Sequence, residues 1–161
     1  NSFKVEEVIA GLDKLLEPKT SSSQLLALQA QIIPGLGVAS GTLVRQLPLI
    51  SQSFPEIKGC YPGTINLELT RPLIVTKPDH RTAPLAWTPS GRTTEVFDLV
   101  RIGLEFGHDK RIVPAWLYIA HASPHRRTPT IHEVIAEPLD LADIPSCRIH
   151  LRASAVTLQE I

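Results

Sequence analysis

Two segments carry residue types whose spacing suits chemistry. Pro34-Gly35-Leu36-Gly37-Val38-Ala39-Ser40-Gly41 places three glycines in a short stretch between strand-like runs. Glycine admits positive φ and removes the Cβ that would keep backbone N–H groups from converging on an anion, so this segment reads either as a phosphate-cradling loop or as a tight turn. It has no Gly-Lys-Ser/Thr ending and no third glycine opening a helix, which excludes the common mononucleotide and dinucleotide loops. The second segment is Cys60-Tyr61-Pro62-Gly63-Thr64-Ile65-Asn66-Leu67-Glu68-Leu69. Period-two geometry sends Ile65, Leu67 and Leu69 to one face and Thr64, Asn66 and Glu68 to the other. Hydroxyl, amide and carboxylate oxygens suit a hard cation, and Mg²⁺ needs only one or two protein ligands when phosphate and water fill its other positions. Thr64 and Asn66 form such a minimal pair. An ordinary half-buried strand with a polar outer face is the competing reading.

The elements that must position these residues follow from periodicity and breakers. Val5, Val8, Ile9, Leu12, Leu15 and Leu16 recur at helical steps, so Phe3 to Glu17 reads as an amphipathic helix ended by Pro18, with a polar linker up to Ser23. From residue 24 onward, 14 prolines and 9 glycines in the chain favour short strands over long helices. Strands are expected over Gln24–Ile33, Thr42–Arg45, Thr64–Leu69, Leu73–Thr76, Thr94–Phe106, Arg111–Ala120, His132–Ala136 and Cys147–Leu151. Gly107 to Lys110 would form the hairpin turn. Leu47–Phe54 reads as one short helix with Pro48 in its first turn, and Pro78–Arg92 as a long surface loop. Two units result: a helix and linker over 1–23, and a mainly β domain over 24–161.

The 161 residues carry 16 Lys+Arg and 16 Asp+Glu with 43% hydrophobic side chains, which fits one globular domain and excludes disorder. Zero formal charge argues against a nucleic-acid or anionic-membrane surface, so any anion must be captured locally. No apolar run reaches membrane-spanning length, and the expectation is a soluble, cytoplasmic protein. Cys60 and Cys147 fit no metal-ligand spacing and read as reduced thiols. His121 and His125 are four apart, but Pro124 breaks a helix that would present both to zinc. Trp116 reads as core, whereas Trp87, in the long loop, is a candidate lid over a ligand.

Taken together, the Gly35–Ser40 stretch, a short helical run, and Tyr61-Pro62-Gly63-Thr64-Ile65-Asn66-Leu67 resemble the archaeal-type CTP-dependent riboflavin kinase family. A third match is Glu133-Val134-Ile135-Ala136, similar to that family's Glu-(Ile/Val)-Ile-Ala stretch. The resemblance spans about residues 25 to 151, and the Pro-Gly-Thr-Ile-Asn element is its most specific part. It implies a compact six-stranded cradle-loop barrel, mainly β, with one short inserted helix. It also implies that Gly35, Leu36, Gly37, Val38, Ala39 and Ser40 wrap the nucleotide, with Leu139, Asp140 and Leu141 beside it. Thr64 and Asn66 would hold Mg²⁺, and Glu133 would contact flavin. A second flavin contact would come from His125, Thr128 or Thr130, of which His125 enters the site set.

The implied activity is Mg²⁺-dependent transfer of a nucleotide γ-phosphate, from CTP by resemblance, to riboflavin, giving FMN. Such a transfer asks the protein mainly for positioning and charge stabilisation. Where the family has a Leu-Arg pair beside the nucleotide, this chain has Glu137-Pro138-Leu139-Asp140-Leu141, so acids stand where a cation is expected. That departure motivates two alternatives: a degenerate relative that binds flavin, nucleotide or metal without transfer, and a barrel-type DNA-binding regulator, which the neutral charge disfavours. Glu68 and Glu133 are both candidates for a general base.

Overall fold

Alternation of apolar and polar side chains builds the fold, and the computed structural model describes it over residues 24–34, 40–107, 111–121 and 129–159. The expected helix at Phe3–Glu17, the loop residues 35–39, the turn at 108–110 and His125 lie outside the described residues. Six strands pair antiparallel: β1 (Leu25–Ile33), β2 (Ile65–Glu68), β5 (Phe97–Phe106), β6 (Arg111–Ala120), β7 (Ile131–Ala136) and β8 (Ser146–Arg152). They run in the order β5-β6-β7-β2-β1-β8, and β8 pairs again with β5, which closes a barrel. A short strand β4 (His80–Arg81) adds to the outer edge of β5, while β3 (Leu73–Val75) and β9 (Val156–Leu158) form a separate two-stranded sheet.

Closure gives every strand an inside and an outside. Val100, Ile102, Leu104, Leu117, Val134, Ile149, Leu151 and Leu67 fill the interior. Their neighbours of opposite parity, Phe97, Leu99, Trp116, Tyr118 and Ile135, form a second apolar layer outside the barrel. Helix α1 (Ser40–Ser53) covers that layer with Leu43, Leu47 and Ile50, residues at three- and four-residue steps, followed by Phe54. Pro114 tolerates its missing N–H because the β6–β7 register begins only at Ala115.

Four sequence expectations are corrected here. Thr42–Arg45 is helix rather than strand, and the helix placed at Leu47–Phe54 is the second half of α1. Pro48 lies inside the helix instead of in its first turn. It is exposed, as is Val44, the residue whose carbonyl loses its helical donor, so water can satisfy that oxygen. Tertiary burial of Leu43, Leu47 and Ile50 outweighs the β-branched residues Thr42 and Val44. Pro78–Arg92 is not loop throughout: it holds β4, and Leu85 bridges to Glu95.

A charged cluster clamps the helix end to the barrel. Glu56 accepts hydrogen bonds from both arms of Arg101, each at 2.7 Å, and from Trp116 Nε1 at 2.7 Å. Arg101 also lies over the Phe54 ring at 5.4 Å, and Phe54 stacks on His80. Burial pushes the Glu56 carboxyl up, but the hydrogen bonds and the Arg101 and His80 charges outweigh it, holding the group below its ordinary 4.5. A carboxylate depressed on folding stabilises the native state above its unfolded value, and that contribution disappears as pH falls through the folded value. The urea midpoint is therefore expected to fall as pH drops below about 4.5, and Glu56→Gln to flatten this acid limb; an unchanged limb refutes the assignment. In the fully buried interior, Ile102→Ala is expected to cost about 2–5 kcal/mol in chemical denaturation.

Candidate functional site

The end of β1 and the start of β2 build one wall of a cavity of about 720 Å³. Gln31 to Pro34 contribute from β1, Thr64 to Asn66 from β2, and Leu141 to Pro145 from the segment before β8. That segment is held by backbone bonds: Ile32 N–H donates to Pro145 O at 2.9 Å, and Ile144 N–H donates to Leu141 O at 3.1 Å. Asp140 Oδ1 accepts the Ala142 N–H at 3.1 Å, and Asp143 takes φ 64°, a left-handed turn that aspartate tolerates better than most residues.

Of the sequence-derived site residues, Thr64, Asn66 and Leu141 therefore share one cavity. Pro34, which immediately precedes Gly35, lines it as well. Gly35 to Ala39 lie outside the described residues, and Ser40 opens α1. Leu139 packs against the barrel interior, and Asp140 is exposed. Asp143, which the sequence reading did not select, lines the cavity beside Thr64 and Asn66. Only the fold of the 141–145 segment brings it there.

Asn66 and Glu133 are direct partners in the β2–β7 register. Antiparallel partners have Cα atoms about 4.5–5.5 Å apart and share a face. Asn66 faces the first cavity, and Glu133 lines a second one of about 400 Å³. The second cavity has a structural cause. The register of β6 with β7 ends at Leu117↔Val134; beyond it, Tyr118 to His121 line one side of the cavity, and Ile131 to Glu133 line the other. Leu73, Val75, Leu117, Ile119 and Ile131 supply apolar wall. Arg81, Asp98 and His121 supply a charged group at its rim.

Tyr118 donates its hydroxyl proton to Gln46 of α1, which ties the helix to the strand bordering this cavity. Burial first, then the nearby Glu133 and Glu95 charges, push the Tyr118 phenol up, so it stays protonated. Trp87 donates to Glu95 at 2.9 Å and packs on the apolar layer under α1, and it lines neither of these two cavities. Trp116 is core, as expected. Glu68 lines neither cavity.

No group of three or more His, Cys, Asp or Glu side chains among the described residues is arranged to cage a metal ion. Side chains with oxygen donors along the first cavity are the neutral Gln31, Thr64 and Asn66, with Asp143 as the acid. No described helix is long and apolar enough to cross a membrane. No family model matches the chain, and no curated protein matches it.

Neither cysteine is a nucleophile in this arrangement. Both are buried free thiols; burial and the Glu137 charge push Cys60 up to about 12, and burial pushes Cys147 up to about 11. Thiolate is the reactive form, so a disulfide reagent at pH about 8 is expected to leave both thiols unmodified in the native protein and to titrate both after denaturation. Rapid modification of the folded protein contradicts this.

Proposed function

We propose that this chain is a riboflavin-kinase-like phosphotransferase that moves a nucleotide γ-phosphate, with CTP as the donor suggested by resemblance, onto the terminal hydroxyl of riboflavin. One observation supports the reading above the rest: Asn66, which lines the larger cavity, and Glu133, which lines the smaller, are direct partners on neighbouring strands. The larger cavity begins at the residue before the glycine-rich stretch and carries Thr64 and Asn66. The smaller carries Glu133 and apolar walls suited to a fused aromatic ring. A phosphoryl donor and its acceptor must meet within bonding distance, and adjacent strands sharing a face provide that proximity.

The donor set fits Mg²⁺ of the kind that keeps most of its ligands as phosphate oxygens and water, because Thr64 and Asn66 offer two oxygens and no protein cage. When bound, the ion would neutralise charge on the transferring phosphoryl group. The chain's own residues do the rest. Thr64 and Asn66 orient the polyphosphate, backbone N–H groups of the glycine-rich stretch donate to its oxygens, and Glu133 anchors the acceptor on the neighbouring strand. Asn66 and Glu133 sit on paired barrel strands, so these two side chains need little reorganisation during transfer.

A second reading has its own observation. Asp143 in the first cavity and exposed Asp140 beside it place negative charge where a triphosphate would need cations, which favours a relative that binds flavin or nucleotide without transfer.

Incubating the protein with riboflavin, Mg²⁺ and each nucleoside triphosphate is expected to yield FMN. Joint Thr64→Ala and Asn66→Ala substitution is expected to lower turnover by about 100-fold or more with the melting temperature retained. Flavin binding without FMN from any donor selects the second reading, and undiminished turnover of the double variant removes the metal assignment.

A further inference from the structure

The rim of the smaller cavity carries a side-chain cluster that phosphate transfer does not use. Asp98, whose side chain is only 4% exposed, accepts two hydrogen bonds from Arg81, Nε at 2.8 Å and a terminal nitrogen at 2.9 Å. Its Oδ2 also lies 2.7 Å from His121 Nε2. Burial pushes the Asp98 carboxyl up, but the hydrogen bonds from Arg81 and His121, together with the Arg81 charge, outweigh it and hold the group below its ordinary value. An ionised carboxylate accepts only, so the proton of the His121–Asp98 bond sits on Nε2. In the neutral imidazole Nδ1 is then an acceptor. Arg81 has spent Nε and one terminal nitrogen on Asp98 and keeps the other terminal nitrogen as a donor. Neither His121 Nδ1 nor that Arg81 nitrogen has a partner among the described residues, and the side chains are 42% and 58% exposed.

The cluster thus offers one donor and one acceptor on two side chains held by the same carboxylate, at a cavity with apolar walls. The complementary ligand edge is an acceptor beside a donor, a carbonyl next to a ring N–H. Its distance from the transfer site suits the far end of a ring system. Asp98 pairs with Ile119 and with Arg81, and along β6 the span from Tyr118, one residue past Leu117↔Val134, to His121 is roughly 10 Å. Glu133 marks the near end, next to Asn66.

We infer that Arg81 and His121, the latter oriented by Asp98, read the cyclic imide edge of a planar heteroaromatic ligand whose other end lies beside Glu133. This deepens the riboflavin reading and rests on it for the identity of the hydroxyl-bearing tail, but the imide recognition itself does not require transfer. Arg81 and His121 are binding residues, and Asp98 is the positioning residue that sets the His121 tautomer. The site differs from a generic hydrophobic slot because it discriminates against a ligand that keeps its shape but loses the N–H.

The test uses the whole protein without nucleotide and follows ligand fluorescence for riboflavin, N3-methylriboflavin and lumichrome, the last having the imide ring but no hydroxyl tail. Riboflavin is expected to bind about tenfold or more tighter than its N3-methyl analogue, since methylation removes the donor and leaves His121 Nδ1 unpaired. His121→Ala is expected to close that gap, and Arg81→Ala to weaken riboflavin and lumichrome alike, with melting curves confirming that both variants fold. If His121→Ala does not fold, the wild-type preference and Arg81→Ala decide the matter. Equal binding of the two flavins by the wild type, or a preference that survives His121→Ala, overturns the inference and leaves the kinase reading standing. Binding of lumichrome but not riboflavin upholds imide recognition and removes riboflavin as the acceptor. Binding of none of the three removes both.

Discussion

Pairing of β8 with β1 on one side and β5 on the other is the constraint from which the remaining structure follows. It leaves the barrel sheet without a free pair of long edges, and it assigns each alternate residue of six strands to an interior or an exterior. A register slip of one residue would exchange Val100, Ile102 and Leu104 for Leu99, Arg101 and Gly103 inside the barrel, placing a guanidinium in the core. The burial penalty for that exchange locks the register, and the register in turn makes Asn66 and Glu133 neighbours.

The exterior is where the chain spends its polar groups. Under and beside α1, Arg101 is shared between Glu56 and the buried Asp79, which also pairs with Arg152 at 3.0 Å. Burial pushes the Asp79 carboxyl up more than its partners pull it down. His150 meets Glu105 at 2.7 Å across the β5–β8 seam. These contacts tie the helix and the closing seam to the barrel wall. They are hydrogen-bonded and partly desolvated, so they specify one arrangement more than they add net stability.

Both cavities arise where this pairing stops. The first opens where β1 ends and β2 begins, and the second opens where the β6–β7 register ends at Leu117↔Val134. Backbone groups and side chains there face space instead of a partner strand, which is why the cavities and the ends of strand pairing coincide in this molecule.

Much of the strand pattern was legible in the amino-acid sequence, because inside–outside alternation is written residue by residue: Ile65, Leu67 and Leu69 against Thr64, Asn66 and Glu68 needs only the period of a strand. The glycine-rich stretch stood out by residue type and the Thr64/Asn66 face by strand period, whereas Glu133 was selected only through the family resemblance. The extent of α1 could not be read locally, since Thr42–Arg45 is helical only because the outer barrel layer buries Leu43 and Leu47. Nor could the short strands β4 and β9, whose few residues carry no period of their own. That Asn66 meets Glu133, that Asp143 reaches the cavity of Thr64, and that Arg81, Asp98 and His121 share one rim are consequences of strand order and register. Those depend on contacts between residues far apart in the chain, and no local periodicity encodes them: the order of residue types settles which faces are apolar, and barrel closure settles which of those residues meet.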